Sequence, residues 1–134
     1  WYKYKAGANF SSKGEIIEGR KDKCDIYGVL YETDDNVQFL DGSTSLTSPN
    51  IVALARNLDA LPETDNWKQF SFKFEPKNGK SIDSDKLEKG IYKLAIVFSS
   101  SVDGGKFEGA VGSTLYIDKV VIEHTSNPNE YPAN

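Results

Sequence analysis

Hydrophobic and polar residues alternate along several stretches of the chain, as in β-strands that bury one face. The strand-like stretches are residues 1–5, 24–33, 67–75, 91–99 and 114–124. In residues 67–75 the alternation places Phe70, Phe72 and Phe74 on one face. Residues 24–33 are apolar at both parities, which predicts a central strand that is covered on both sides.

Two places along the chain break this simple pattern. In residues 114–124 the apolar parity shifts around Asp118 and Lys119, which predicts a β-bulge or a bend. Around Ile51 to Leu58 the apolar residues fit either a helical stripe or a strand face. We predict a strand there because the surrounding stretches are all β.

One helical turn is predicted at residues 83–89. Asp83 or Ser84 can cap its start, and Gly90 can end it.

The predicted strands are separated by connections rich in Gly, Ser, Asn and Asp, without a βαβ rhythm. This organisation predicts an all-β fold, an antiparallel β-sandwich such as a jelly roll. A jelly roll has about eight strands, so we expect short strands within the connections or a strand before Trp1. We expect the sandwich domain to span residues 1–125, to lack N-terminal sequence of a precursor, and to be followed by a tail, residues 126–134.

The 134 residues carry a net charge of −4, which disfavours nucleic acid and anionic membrane surfaces as partners. The basic residues Arg20, Lys21 and Lys23 are interrupted by Asp22, and this segment is interpreted as a solvated loop. No apolar stretch approaches the roughly 20 residues of a membrane-spanning helix. The single cysteine, Cys24, begins an apolar run and is predicted to be a buried, unreactive thiol.

The chain lacks the usual signatures of nucleophilic or metal-assisted catalysis. His124 is the only histidine, and Ser113 does not lie in a Gly-x-Ser-x-Gly motif. Glycoside hydrolysis needs only two carboxylates, but no spacing singles out a pair, so no catalytic residue is predicted. The acids in or beside predicted strands are Asp25, Glu32, Asp34, Asp35, Glu108 and Asp118.

No cofactor is expected to be required, although a structural calcium ion is one possibility. Asp118 lies within an apolar run, and a buried acid needs a partner, either a hydrogen-bond donor or a cation. A second, weaker candidate is the loop around Asp34, which supplies several carboxylate and amide oxygens.

Sixteen aromatic side chains, seven Tyr, seven Phe and two Trp, offer flat apolar faces on which a sugar ring can stack. A strand aromatic is usually part of the core, so the candidates are those at strand ends or on exposed faces. We select Trp1, Tyr4, Tyr31 and Trp67 as candidate carbohydrate-binding residues.

Several motifs together resemble the putative carbohydrate metabolism domain, a family of surface proteins of gut anaerobes. The resemblance extends from Trp1 to about Glu123, with a departure at Lys119, where the family often has a second acid. The motifs are Trp1-Tyr2-Lys3-Tyr4-Lys5-x-Gly7, Asp25-Ile26-Tyr27-x-Val29-Leu30-Tyr31-Glu32, Pro49-Asn50-Ile51-Val52-Ala53-x-Ala55, Trp67-x-x-Phe70, Ile96-Val97-Phe98-Ser99-Ser100-Ser101 and Phe107-x-Gly109-Ala110-x-Gly112-Ser113-Thr114-Leu115-Tyr116-Ile117-Asp118.

This resemblance implies a jelly-roll sandwich of the galactose-binding-like kind, in an exported bacterial protein with a neighbouring immunoglobulin-like domain. The location would then be extracellular, at the cell surface or periplasmic. Our first hypothesis is a non-catalytic carbohydrate-binding module whose partner is a polysaccharide or oligosaccharide. The alternatives are a glycoside hydrolase domain, as some proteins of the family are labelled, and a structural or adhesive surface module.

Overall fold

The structure is a computed structural model that describes residues 1–123, and these residues form an all-β fold with one short helix. The predicted tail, residues 126–134, and His124 lie outside the described residues. In chain order the elements are β1 (Tyr2–Lys5), β2 (Phe10–Ser12), β3 (Glu15–Ile16), β4 (Asp25–Glu32), β5 (Ile51–Arg56), β6 (Thr64–Lys68), β7 (Glu75–Pro76), α1 (Ser84–Glu88), β8 (Tyr92–Ser99), β9 (Glu108–Ala110) and β10 (Thr114–Ile117).

The strands form three antiparallel sheets. The central sheet has the order β7-β5-β4-β8, the outer sheet has the order β10-β1-β6, and the small sheet has the order β3-β2-β9. The short strands β2, β3 and β9 lie within the Gly- and Ser-rich connections, as expected. Residues 51–56 form a strand, which resolves the ambiguity of that segment in favour of β structure.

The central sheet is covered on both faces, as the apolar run of β4 predicts. One face carries the buried residues Tyr27, Val29, Tyr31 and Ile51, and Leu40 and Leu46 of the connection before β5 pack against them. The hydroxyl of Tyr27 also forms a 2.7 Å hydrogen bond with that of Ser45, which satisfies both buried polar groups.

The opposite face of the central sheet packs against the outer sheet in a sandwich-like arrangement. Tyr2 and Tyr4 of β1 meet Cys24 and Ile26 there, in a cluster that Phe70, Phe72, Leu115 and Ile117 complete. Gly28 makes room for the Phe74 ring, because a Cβ atom at position 28 would lie 2.7 Å from that ring.

The edge strand β8 carries an apolar row that the outer sheet covers only in part. Leu94, Ile96 and Phe98 share one face, as the sequence predicts, and the exposed fraction of each is between 37% and 42%. Their neighbours Ala95 and Val97 pack into the core on the other side of the sheet. The larger apolar side chains of β8 therefore lie on its more exposed face.

Residues 67–75 differ from the single strand predicted for them. The chain leaves the outer sheet after Lys68 and joins the central sheet at Glu75, and residues 69–74 belong to no strand. Phe70, Phe72 and Phe74 are nevertheless half-buried while the residues between them are exposed. The alternation reflects packing of a crossing segment against the core and not pairing in a ladder.

The strand predicted for residues 114–124 is shorter than expected, whereas the predicted helical turn is present. Strand β10 ends at Ile117, and residues 118–123 belong to no strand. Lys119, where the parity shift predicted a bulge or bend, has a left-handed backbone with φ of 53°. The carboxylate of Asp83 accepts hydrogen bonds from the backbone nitrogens of Asp85 and Lys86 at the start of α1, and Gly90 follows its end with φ of 69°. No helix within residues 1–123 is long and apolar enough to cross a membrane.

Candidate functional site on the outer sheet

Strand β1 presents two different faces because successive side chains point to opposite sides of a sheet. Tyr2 and Tyr4 point inward and are 0% and 2% exposed, whereas Lys3 and Lys5 point to the outer side. The ladder pairs Lys3 with Tyr116 and Lys5 with Thr114 of β10, so these residues share the outer face.

On this outer face Lys3 lies between two aromatic rings, and we call Trp67, Lys3 and Tyr116 the aromatic row. The ammonium nitrogen of Lys3 is 4.7 Å from the centroid of the Trp67 ring and 5.3 Å from that of Tyr116. Both distances are within the range of cation–π attraction. Trp67 and Tyr116 are 43% and 56% exposed, so each ring keeps surface that a ligand can reach.

Trp1 lies two residues before Lys3 and therefore on the same face of the outer sheet. Its backbone nitrogen donates to the Asp118 carbonyl oxygen at 3.0 Å, and its carbonyl accepts from the Asp118 nitrogen at 2.9 Å. These bonds continue the β1–β10 ladder and fix the backbone beside the 44%-exposed Trp1 side chain. The outer face thus combines three accessible aromatic side chains with an ammonium donor.

Two of the four candidate carbohydrate-binding residues, Trp1 and Trp67, lie on this outer face, and the other two do not. Tyr4 and Tyr31 are 2% and 4% exposed, and the Tyr4 hydroxyl donates to the Ser100 carbonyl oxygen at 2.8 Å. Neither ring has a face that a sugar could reach, so Tyr4 and Tyr31 are corrected here to core residues. Tyr4 alternates with Lys3 and Lys5, whose side of β1 is the accessible one, and Tyr31 lies in a strand that is covered on both faces.

Tyr116 was missed, although the sequence contains a signal for it. Leu115 and Ile117 flank it and pack inward with the core, and in a strand this places Tyr116 outward. The pairing that brings Tyr116 opposite Lys3 depends on two segments more than a hundred residues apart, so only the fold reveals the row.

The premise of the Asp118 calcium site is not met. Asp118 is exposed, so it does not need a cation to compensate burial. Within residues 1–123 no group of three or more His, Cys, Asp or Glu side chains could hold a metal ion. In the loop around Asp34, the carboxylate already accepts hydrogen bonds from Asn36, Val37 and Asn50, which lower the pKa of Asp34. Neither place therefore gathers three such side chains among residues 1–123, and the calcium ion stays a prediction from the sequence.

The acids considered for hydrolysis are mostly engaged in contacts that hold the fold. Asp25 of β4 accepts two hydrogen bonds from the guanidinium group of Arg56 on the neighbouring strand β5, at 2.6 and 3.1 Å. The remaining pairs are Glu32 with Lys86 at 3.0 Å and Glu108 with Arg20 at 3.1 Å. Four of the six acids, the fourth being Asp34 with Asn50, therefore already bind groups of the protein itself.

A cavity of about 280 Å³ lies beside Tyr4 and contains three carboxylates in its lining, those of Asp22, Asp59 and Glu63. Glu63 accepts from the Ala6 nitrogen and from Lys21, and these hydrogen bonds lower its pKa. A depressed pKa keeps Glu63 ionised, which is the opposite of what a general acid requires.

Asp22 itself is a buried hydrogen-bond centre that the sequence interpretation did not find. It is 3% exposed, although Arg20, Lys21 and Lys23 around it are exposed, as the interpretation of a solvated loop predicted. One carboxylate oxygen accepts from the Ser101 hydroxyl at 2.6 Å, the Ser113 hydroxyl at 2.7 Å and the Ala110 nitrogen at 3.0 Å. The other oxygen accepts from the Lys23 nitrogen at 2.9 Å. We call this group the Asp22 network.

The Asp22 network gives a physical reason for two of the sequence motifs. Ser101 belongs to Ser99-Ser100-Ser101, and Ser113 belongs to Gly112-Ser113-Thr114. Ser113 also accepts from the Gly7 nitrogen at 3.0 Å and so connects β1 to the same network. Both serine hydroxyls donate to the buried Asp22 carboxylate, and in this role they serve the fold.

The chain is similar to known proteins, both to a protein family and to solved structures. A family model described as "Putative carbohydrate metabolism domain" matches residues 1–123, which confirms the resemblance identified from the sequence. No curated protein matches the chain.

Two solved structures are similar to the chain. The first is a putative glycoside hydrolase from Bacteroides thetaiotaomicron, with 48% identity, a TM-score of 0.88, and coverage of 94% of this chain and 37% of that one. The second is a putative glycoside hydrolase from Bacteroides vulgatus, with 44% identity, a TM-score of 0.74, and coverage of 85% of this chain and 46% of that one. The present chain therefore spans less than half the length of each.

Proposed function

Because the chain belongs to the putative carbohydrate metabolism domain family, we propose that it is a non-catalytic carbohydrate-binding module of an exported protein. In this proposal the fold is a jelly roll of the galactose-binding-like kind, located outside the cell, at its surface or in the periplasm. The ligand is a polysaccharide or oligosaccharide that binds the outer face of the outer sheet.

The aromatic row is the observation that carries this proposal. Trp67 and Tyr116 offer partly exposed rings on which the apolar face of a sugar can stack, and Lys3 supplies donors for its oxygens. The strands beneath are fixed by ladder hydrogen bonds, so little conformational entropy is lost when a ligand binds.

A hydrolytic role receives less support in this domain. The two solved relatives are described as putative glycoside hydrolases, but this chain accounts for only 37% and 46% of their lengths. Among the candidate acids, Asp25, Glu32 and Glu108 already form ion pairs. We therefore propose that hydrolytic chemistry in such proteins, where it occurs, is carried by another part of the chain.

A structural or adhesive role is the second candidate, and it has its own observation. The partly exposed row of Leu94, Ile96 and Phe98 is an apolar surface of the kind that contacts other proteins. Its predicted consequence is association with protein and not with sugar.

The experiment is a glycan-array and affinity-gel screen of the chain and of Trp67→Ala and Tyr116→Ala, with calcium and with chelator. We expect binding that is abolished by either substitution and unaffected by chelator. Phe39→Ala is the matched control. The exposed Phe39 ring lies away from the outer sheet, in the connection before β5, and its centroid is 3.8 Å from the ammonium nitrogen of Lys93 on β8. Loss of binding in the control alone, or no binding by the folded wild type, would reject the proposal.

A further inference from the structure

Lys3 is a cation held in place without a carboxylate partner. Six ion pairs occur among residues 1–123, and none includes Lys3. Lys5 lies on the same face and is also in none of these ion pairs, but it contacts neither ring of the aromatic row. Lys3 is therefore distinguished from Lys5 by the two aromatic rings that hold its charge.

The two rings also fix where the Lys3 charge sits. A surface lysine samples many rotamers, and binding an anion with it costs side-chain entropy. Cation–π contacts with Trp67 and Tyr116 hold the Lys3 ammonium at the middle of the aromatic row. Part of the side-chain entropy of Lys3 is therefore already lost before a ligand binds.

The charge of the whole molecule limits which anions can bind beside Lys3. The net charge is −4, so the molecule as a whole repels polyanions, and an anion can bind only where a local cation outweighs that repulsion. Asp118 lies opposite Trp1 at one end of this face, whereas Lys3 lies opposite Tyr116 at its centre. Asp65 of β6 is also exposed, two residues before Trp67, and neither acid forms an ion pair with Lys3. A neutral sugar can accept hydrogen bonds from this ammonium group, but a carboxylate gains more from it, because hydrogen bonds between ionised groups are stronger.

We propose that the ligand of the aromatic row is a carboxylate-bearing sugar, a uronic acid residue of an acidic polysaccharide. Its ring stacks on Trp67 or Tyr116, and its carboxylate accepts hydrogen bonds from the Lys3 ammonium. This inference rests on the proposed function and specifies the chemical class of its ligand.

The test compares polygalacturonate, alginate and glucuronoxylan with their methyl-esterified forms, which keep the sugar rings and lose the charge. We expect at least one uronate polymer to bind, its methyl ester to bind at least tenfold more weakly, and Lys3→Gln to reduce binding of the acid form at least tenfold. Raising the salt concentration should weaken binding of the acid form and leave any residual binding of the ester unchanged.

Lys93→Gln is the matched control, because Lys93 also lies over an exposed ring, that of Phe39, but on another sheet. We expect Lys3→Gln to have the melting temperature of the wild type, so that a loss of binding reports the lost contact with the ligand and not a loss of folding. If the melting temperature falls, Lys3→Arg, which keeps the charge and the ring contacts, should restore binding.

The outcomes separate this inference from the proposed function. Equal binding of acid and ester forms that Trp67→Ala removes would overturn the uronate inference and leave carbohydrate binding standing. Uronate binding that Lys3→Gln leaves unchanged would also overturn it. No binding to acidic or neutral polysaccharides would overturn both.

Discussion

The inner and outer faces of the outer sheet are built from alternate residues of the same strands, but their side chains are held in different ways. Inward, Tyr2 and Tyr4 are buried, and their hydroxyls donate to the carbonyl oxygens of Pro62 and Ser100. Outward, Trp67 and Tyr116 are half-exposed and contact Lys3.

The difference indicates what each face contributes. Side chains that are buried and satisfied by the protein's own groups stabilise the fold, and they have no capacity left for a ligand. Side chains that are ordered but accessible can change partners at low cost, which suits binding. Substitutions on the inner side should therefore change stability, and substitutions on the outer side should change binding alone.

The largest expected effect lies in the Asp22 network beside the inner face. In Asp22→Ala the Ser101 and Ser113 hydroxyls and the Ala110 nitrogen lose their common acceptor. We expect the free energy of unfolding to fall by about 3 kcal/mol or more, since each buried donor without an acceptor costs about 1–3 kcal/mol. Chemical denaturation measures this loss.

Two further variants sharpen that result. Asp22→Asn keeps one acceptor oxygen but turns an amide donor toward other donors, so its loss should be smaller than that of Asp22→Ala. Asp118→Ala removes an exposed carboxylate and should change stability by no more than about 0.5 kcal/mol. Equal stabilities of the Asp22 and Asp118 variants would contradict the assigned role of the network.

Alkaline pH should weaken the inner face next. Burial raises the pKa of Tyr2 and of Tyr4 from 10.0 to about 12, and that of Cys24 from 9.0 to about 11. Because the folded-state values are the higher ones, the stabilisation is complete below about pH 9 and is lost as the pH rises through 11 and 12.

Denaturation midpoints between pH 8 and pH 12 check this loss, and Tyr4→Phe separates it from the general effect of rising negative charge. The variant has one fewer buried hydroxyl to ionise, so its stability should fall less steeply than that of the wild type. Parallel pH profiles for the two proteins would refute the assignment to Tyr4.

At neutral pH the expected effect of Tyr4→Phe is smaller. The variant loses the 2.8 Å bond to Ser100 and leaves that carbonyl without its donor, which should cost about 1 kcal/mol. Tyr116→Phe on the outer face is the control, and its stability should equal that of the wild type within error. A larger loss in Tyr116→Phe would reverse our comparison of the two faces.

The smallest expected change in stability belongs to the aromatic row itself. Trp67→Ala and Tyr116→Ala should each alter the free energy of unfolding by about 1 kcal/mol or less, the usual contribution of a cross-strand aromatic contact, while removing carbohydrate binding. Denaturation and affinity-gel measurements on the same preparations test this pair of expectations. Loss of stability in proportion to loss of binding would show that the outer face is also structural.

Much of the strand framework was accessible from the sequence because alternation and apolar runs are local signals. The run around Tyr27 and Val29 predicted the doubly covered strand β4, and the parity shift at Lys119 predicted the bend. Residues 69–74 show the limit of this signal, because a segment that crosses from one sheet to another alternates in the same way as a paired strand.

The candidate site was only partly accessible for a related reason. Alternation groups Tyr4 with Tyr2 and Lys3 with Lys5 and favours burial of the tyrosines, but it does not show that Trp67 and Tyr116 lie on either side of Lys3, since these rings come from distant strands. The burial of Asp22 was not predictable from its neighbours, since three of its four donors are 79 to 91 residues away along the chain. Such side chains are identified by tertiary pairing and not by local pattern.

The same sequence separations have a consequence for the order in which the chain folds. Residues between Asp22 and Ser113 must all be synthesised before the network can close, and closing such long loops costs entropy before the contacts repay it. We expect Asp22 to remain hydrated during early collapse and to lose water only in the last, rate-limiting step. The rate at which folding is completed would then be set by the docking of Ser113 against Asp22.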